Sequence, residues 1–189
     1  MFKDDDSFSI HDVGFGLGHF YTHLKNSFSD RNFEYSGSEI TPEFVNYCKE
    51  HFPECRFYLR DLAQGPFEEK YDYIIFGGTF YQKAESPDAE FMAFTEKMLL
   101  NAFKSANRGI AFNFITDFAD YKYKELYYEN IGRISAFIYQ NLSRFFTVDH
   151  AYPLYEFTVS VYREDYISRR HPEPAFDKYF TSRKRSTHR

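Results

Sequence analysis

Short apolar runs of strand type alternate along this chain with stretches of helical spacing, and that alternation restricts its fold more than any other feature. Strand-type runs occupy 8–13, 33–38, 55–59, 72–76, 108–114, 146–152 and 156–162. From His19 to Phe28, Phe20, Leu24 and Phe28 fall on one helical face. Thr41-Pro42-Glu43 opens a second helix, with Pro42 at the first helical position, where its missing N–H costs nothing, and Pro53 stops it. Glu90 to Phe103 and Ile131 to Leu142 are two further helices. Runs such as DYIIF at 72–76 lack polar alternation and should be buried on both faces. Strands of that kind, separated by helices, predict an α/β fold. It has a mostly parallel seven-stranded sheet, helices on both faces and a C-terminal antiparallel β-hairpin. The hairpin turns near Pro153 and is expected to add an antiparallel strand at one edge.

Composition narrows the class. With 189 residues, 43% of them hydrophobic, the chain can bury one full core. No apolar run approaches the roughly 18 residues of a membrane span, and the start MFKDDDSF has no apolar stretch of a secretory signal. A cytoplasmic protein is expected. Cys48 and Cys55 lack CxxC spacing and read as two reduced thiols. Aromatic residues reach 22% without a single Trp, so rings must supply much of the core. The net charge is −5, but residues 168–189 carry seven basic against two acidic side chains. The body is therefore acidic, which disfavours a broad nucleic-acid surface. Residues 1–167 are expected to form the domain and 168–189 a basic, flexible tail that folding does not need; a nucleic-acid contact through that tail is possible but not favoured.

Chemistry concentrates in IHDVGFGLG at 10–18. A strand ends at Asp12, and Gly14, Gly16 and Gly18 follow at every second position before a helix. Glycines there permit a tight turn and close approach of a ligand to the backbone, and the helix start offers free N–H groups. Glu39 ends the second strand in YSGSE, where a carboxylate can accept both hydroxyls of a ribose. Asp61 ends the third in YLRD, where a carboxylate can accept from an exocyclic amine. All three lie at the carboxyl ends of strands, where open α/β sheets bind ligands.

These residues give the chain a resemblance, over nearly all of 8–162, to the class I S-adenosylmethionine-dependent methyltransferases. It rests on DVGFGLG, on Glu39, on Asp61, on DYIIFGGTF at the fourth strand and on the closing hairpin. The resemblance implies a Rossmann-like fold and S-adenosyl-L-methionine as cofactor, with S-adenosylhomocysteine as product. It implies that Gly14, Gly16 and Gly18 cradle the methionine part after Asp12, and that Glu39 holds the ribose. Ile40 would pack on the adenine, Asp61 and Leu62 would meet its edge, and Gly77 would meet the amino group. Phe15 stands where many members have a small residue or cysteine. Only seven residues precede the first strand, fewer than the family's covering helices need, so a cofactor cleft open on one side is expected unless a partner chain or 117–130 closes it. GGTF at 77–80 departs from the Asn/Asp-Pro-Pro-Tyr/Phe of many nucleic-acid amino methylases.

Two other readings compete. A nicotinamide oxidoreductase would show G-x-G-x-x-G, whereas the spacing here is G-x-G-x-G. A non-catalytic scaffold of the same fold would bind without turnover. On the methyltransferase reading, the acceptor, a small molecule or sugar-type metabolite, enters over the ends of strands four to six. That rim selects Tyr81, Asn113, Thr116, Asp117, His150 and the Tyr152 to Tyr155 turn. His150 is the expected base, since imidazole titrates near neutrality, with Tyr81 and Asp117 as further catalytic candidates. Tyr127 and Tyr128 are candidates for a lid, with packing as the commoner role. His19 and His23 share a helix face but have no third ligand nearby, and no metal is expected. The sequence leaves the oligomeric state open.

Overall fold

The computed structural model describes Met1 and residues 5–180. In chain order the elements are β1 (Ser7–Val13), α1 (His19–Ser27), β2 (Asn32–Glu39), α2 (Pro42–His51), β3 (Arg56–Leu59), β4 (Tyr71–Phe76) and α3 (Asp88–Ser105). Then come β5 (Ala106–Thr116), β6 (Tyr128–Glu129), α4 (Ile131–Asn141), β7 (Phe146–Asp149), β8 (Glu156–Tyr162) and α5 (Glu164–Arg170). The sheet order is β3-β2-β1-β4-β5-β8-β7, with the two-residue β6 added beside β5. Only β8 runs antiparallel to its neighbours, β5 and β7. This is the expected Rossmann-like sheet with its terminal hairpin.

The edge differs from expectation. The antiparallel strand is not at the rim: β8 lies inside, and the edge strand β7 is parallel to β5. The reason is apolarity. β8 contributes Phe157, Val159 and Val161, all fully buried, while β7 alternates half-buried with exposed positions. The more apolar strand takes the place covered on both sides.

Side-chain alternation along the strands divides the core into two layers. Ile74, Phe76, Ile110, Phe112 and Phe114 pack under α3 and α4, together with Leu99, Ile134 and Ile138. Ile10, Tyr73 and Tyr35 pack under α1 and α2, with Leu24, Val45 and Cys48. Rings fill much of the first layer: Phe76, Phe80, Phe114 and Phe157 follow one another at centroid distances of 4.9, 5.4 and 5.9 Å. Such contacts each add about 0.5–1.5 kcal/mol beyond area burial. One imidazole is built into this core. His11 is fully buried, with Nδ1 2.8 Å from Ser36 Oγ and Nε2 2.7 Å from Ser38 Oγ, and it stacks on Tyr71 at 4.2 Å.

The expected boundary between residues 167 and 168 falls inside α5. Its Tyr166 packs edge-on against Tyr73 and donates to Asp5 Oδ1 at 3.1 Å, so α5 is anchored to β4 and to the segment before β1. Phe180 is 3% exposed, with its ring 5.5 Å from that of Phe145. Residues 181–189, which hold Arg183, Lys184 and Arg185, lie outside the described residues. Deleting 168–189 is therefore expected to destabilise the domain. Exposing the Phe145–Phe180 contact alone costs about 1.5–3 kcal/mol, a fall in Tm of roughly 3–12 °C at this size. An unchanged thermal melt would show that this end adds nothing to the fold.

Candidate cofactor and acceptor site

The loop after β1 carries the site's first part. Gly14, Gly16 and Gly18 have φ of +78°, +55° and +77°, a backbone that other residues adopt only under strain. Space matters too: a Cβ on Gly18 would lie 2.6 Å from the Phe52 ring. The loop is tied to the second strand, since Gly14 N–H donates to Ser38 O at 2.8 Å. Glu39 completes the tie. Its Oε1 accepts from Ile40 N–H at 2.7 Å and Thr41 N–H at 3.2 Å, and its Oε2 accepts from Gly16 N–H at 3.3 Å. A carboxylate has about four acceptor sites. Three are used, the longest of them to Gly16. Thr41 caps α2 with no side-chain hydrogen bond, so its role at the helix start is carried by backbone.

Asp12 lies beneath this loop, 2% exposed, and accepts from the Tyr35 hydroxyl at 2.6 Å. Burial pushes its carboxyl up to about 7, against the opposing pull of that hydrogen bond. Asp61 caps the 3₁₀ turn at Leu62–Gln64, accepting from Ala63 N–H and from Gln64 Nε2 at 2.8 Å each. Leu62 points into the core at 1% exposure, so only its backbone faces a ligand.

Gly14, Glu39, Ile40, Asp61 and Leu62 come together in one cleft of about 240 Å³ at the carboxyl ends of β1 to β3. Asp12, Gly16, Gly18 and Gly77 do not line it; they shape or flank it. Sequence reasoning missed its other wall: Thr79, and Phe91, Phe94 and Met98 of α3. Phe94 is 44% exposed on a helix whose core-facing positions are filled by Phe91, Met92, Thr95 and Leu99, which sets it apart only once the helix is packed. Ile40, 69% exposed, and Phe94 present apolar surface to this cleft. Thr79 Oγ1 donates to Val13 O at 2.9 Å and lies 3.0 Å from the place a Gly14 Cβ would occupy.

A polar chain links the loop after β4 to the ends of β5 and β8. Gly78 N–H donates to Asn113 Oδ1 at 2.8 Å, and Asn113 Nδ2 donates both to Glu156 Oε2 at 3.0 Å and to the Tyr81 hydroxyl. Burial and Glu156 hold the Tyr81 phenol well above its ordinary value. Glu156 was not singled out from sequence; it becomes visible only through its pairing opposite Ile115 on β5. The other candidates separate. Asp117 Oδ2 accepts from Asn130 Nδ2 at 2.8 Å. Thr116 is buried, and Tyr127 is buried with its hydroxyl 3.2 Å from Glu129, a packing role. Tyr152 bonds Thr158 at 2.9 Å. His150 is exposed just past β7, its ring 6.2 Å from that of Phe118. β7 stands three strand positions from β4, about 14 Å across the sheet. Among the described residues no group of three His, Cys, Asp or Glu is placed to hold a metal, and no helix is long and apolar enough to cross a membrane.

The comparisons with known proteins agree with this geometry. No family model matches the chain. A Mycobacterium tuberculosis protein named "Putative methyltransferase Rv1506c" is 31% identical over 162 residues, covering 82% of this chain and 93% of its own length. Magnesium protoporphyrin IX methyltransferase from Synechocystis PCC 6803, with bound SAM, superposes with a TM-score of 0.59 at 18% identity, over 83% of this chain and 70% of its own. A TehB-like SAM-dependent methyltransferase from Corynebacterium glutamicum gives 0.53 at 17% identity, over 82% and 79%. A sheet of this order, with helices on both faces and a closing antiparallel hairpin, defines a Rossmann-like fold. The chain belongs to the class I S-adenosylmethionine-dependent methyltransferases.

Proposed function

We propose that this enzyme methylates a small-molecule acceptor, with the cofactor held across the glycine loop, Glu39 and Asp61. The observation that carries the cofactor assignment is Glu39, whose carboxylate sits between the Gly16 amide and the Ile40 amide with acceptor capacity left over. S-adenosylmethionine supplies an electrophilic methyl carbon and leaves as S-adenosylhomocysteine. The residues fit it. Glu39 would accept from the ribose, Asp61 from the adenine amine, and Ile40 and Phe94 offer apolar surface for the base. Asn113 holds the Gly78 backbone, so Tyr81 and Asn113 would orient the acceptor beside that loop. A sulfonium methyl needs an aligned nucleophile and exclusion of water more than it needs a strong base. Tyr81 therefore stands ahead of His150 and Asp117 as the residue to vary first. His150→Gln tests the alternative; a general base there predicts a loss in turnover of roughly 10²–10⁴. A small acceptor suits the acidic body better than nucleic acid does, and magnesium protoporphyrin IX in a neighbour's name is itself a small molecule.

Calorimetry with S-adenosylhomocysteine tests the cofactor site. Glu39→Ala removes charge-assisted bonds worth roughly 1.5–3 kcal/mol each, so affinity should fall about tenfold or more. NAD should give no heat. A melt of the ligand-free variant separates loss of loop order from loss of ligand contacts. Unchanged affinity in Glu39→Ala would reject the ribose assignment.

A further inference from the structure

A second pocket, of about 230 Å³, opens beside the acceptor rim, between the ends of β5 and β8 and the 119–128 segment. Its walls are Ile115, Leu126 and Leu154 with the rings of Tyr121, Tyr123, Tyr128 and Tyr155, and Glu156 stands at its inner end. Three observations bear on what it holds. First, hydrogen bonds tie it to the polar chain described above. Glu156 is the last member of the Gly78–Asn113–Glu156 chain, and the pocket's outer segment is stitched to the β4 loop, where Tyr127 N–H donates to Tyr81 O at 2.9 Å and Gln82 pairs with Leu126.

Second, its rings are exposed yet fixed. Tyr121, Tyr123 and Leu154 are each more than half exposed. Tyr121 meets Tyr123 at 79° and Tyr155 at 86°, edge to face, so these rings do not stack on one another, and Tyr121 and Tyr123 keep exposed ring surface. The Tyr155 hydroxyl donates to Asp120, and the Tyr128 hydroxyl accepts from Tyr123 N–H at 2.8 Å. Rings held this way offer flat apolar surface at small entropic cost.

Third, its charge is acidic. Glu156 is the charged lining residue and Asp120 borders it, so two carboxylates outweigh the one ammonium, Lys122 Nζ, that lies 5.4 Å from the Tyr128 ring centroid. A carboxylate beside exposed rings accepts hydroxyl or amine hydrogens and repels anions. The volume is below the roughly 300–1,000 Å³ of drug-sized sites, which suits a small acceptor.

We propose that this pocket holds the methyl acceptor as an uncharged ring bearing hydroxyl groups, stacked on tyrosine and hydrogen-bonded to Glu156. The assignment rests on the methyltransferase reading above. A sugar ring and a phenolic ring share that chemistry, and the test distinguishes them.

The chain has no Trp, so Leu154→Trp places a single indole reporter on the pocket wall. Methyl β-D-glucopyranoside, catechol and salicylate are titrated into the full-length protein, with and without S-adenosylhomocysteine. A saturable emission change with catechol or with the glucoside is expected, and which of them binds names the ring. Salicylate should bind about tenfold more weakly than catechol, because its carboxylate meets Glu156. Adding Tyr121→Ala or Glu156→Gln should weaken binding roughly fivefold or more; Tyr121 is a surface residue, so its variant keeps the test open if Glu156→Gln folds poorly. No response to either neutral probe, or salicylate binding as well as catechol, overturns the proposal. The two readings fail separately. Absent ring binding with intact heat for S-adenosylhomocysteine rejects only the pocket, whereas absent heat rejects the cofactor site.

Discussion

Asp12→Asn and His11→Gln are expected to tilt the pH dependence of stability in opposite directions. Neighbours on β1, they face opposite layers of the core. Burial, with Arg60 nearby, lowers the His11 imidazole to about 3, and burial raises the Asp12 carboxyl to about 7. For His11 the folded value lies below the unfolded 6.5, so its stability contribution is present above pH 6.5 and is lost as pH falls toward 3. For Asp12 the folded value lies above the unfolded 3.8, so its contribution is present below pH 3.8 and is lost as pH rises to 7. Each group works at about 1.4 kcal/mol per pH unit. Between pH 4 and 6.5 the two slopes oppose, and the wild-type protein should be nearly flat there. Asp12→Asn leaves the His11 slope, a gain of about 3 kcal/mol from pH 4 to 6.5; His11→Gln leaves the reverse. At pH 8 Asp12→Asn should be the more stable protein, because an ionised carboxylate no longer has to be buried. Urea unfolding at pH 4.5, 5.5, 6.5 and 8 reads all of this, and parallel profiles for the three proteins would refute it. A buried acid that weakens the fold above neutrality is the kind of cost that persists at a ligand site.

Gly109→Ala should be among the most damaging single-methyl changes in the sheet. Gly109 sits in β5 opposite Tyr162, and a Cβ there would lie 2.4 Å from the Val161 carbonyl oxygen. The obstacle is backbone of the neighbouring strand, so no rotamer change relieves it. Either β8 moves away along its length or the ladder breaks locally. The expected loss is about 3 kcal/mol, or roughly 6–12 °C in Tm. Gly65→Ala is the control. Its φ of 166° is ordinary extended backbone, nothing lies within 4 Å of its Cβ, and its effect should stay within about 1 kcal/mol. Equal melting temperatures for the two variants would show that β8 yields freely.

Much of the site was legible beforehand because its parts are local in sequence. Three glycines with positive φ must follow one another to turn a strand into a helix, and an acid at a strand end stays at that end in any register. Phe94 and Glu156 escaped because neither belongs to a motif. Phe94 becomes a cleft residue only when α3 crosses above Ile40, and Glu156 becomes a site residue only when β8 pairs beside β5.

The amino-acid sequence by itself determined the alternating strands and helices, the glycine turn, and Glu39 and Asp61 at their strand ends, because periodicity and backbone conformation are properties of neighbouring residues. Tertiary structure alone decided that β8 lies inside the edge, that residues 164–170 form a covering helix and that His150 stands far from the cofactor loop. It also decided that Tyr121, Tyr123, Tyr128 and Tyr155 wall one pocket. Those outcomes depend on which apolar faces compete for burial across long sequence separations, a competition that local pattern does not encode.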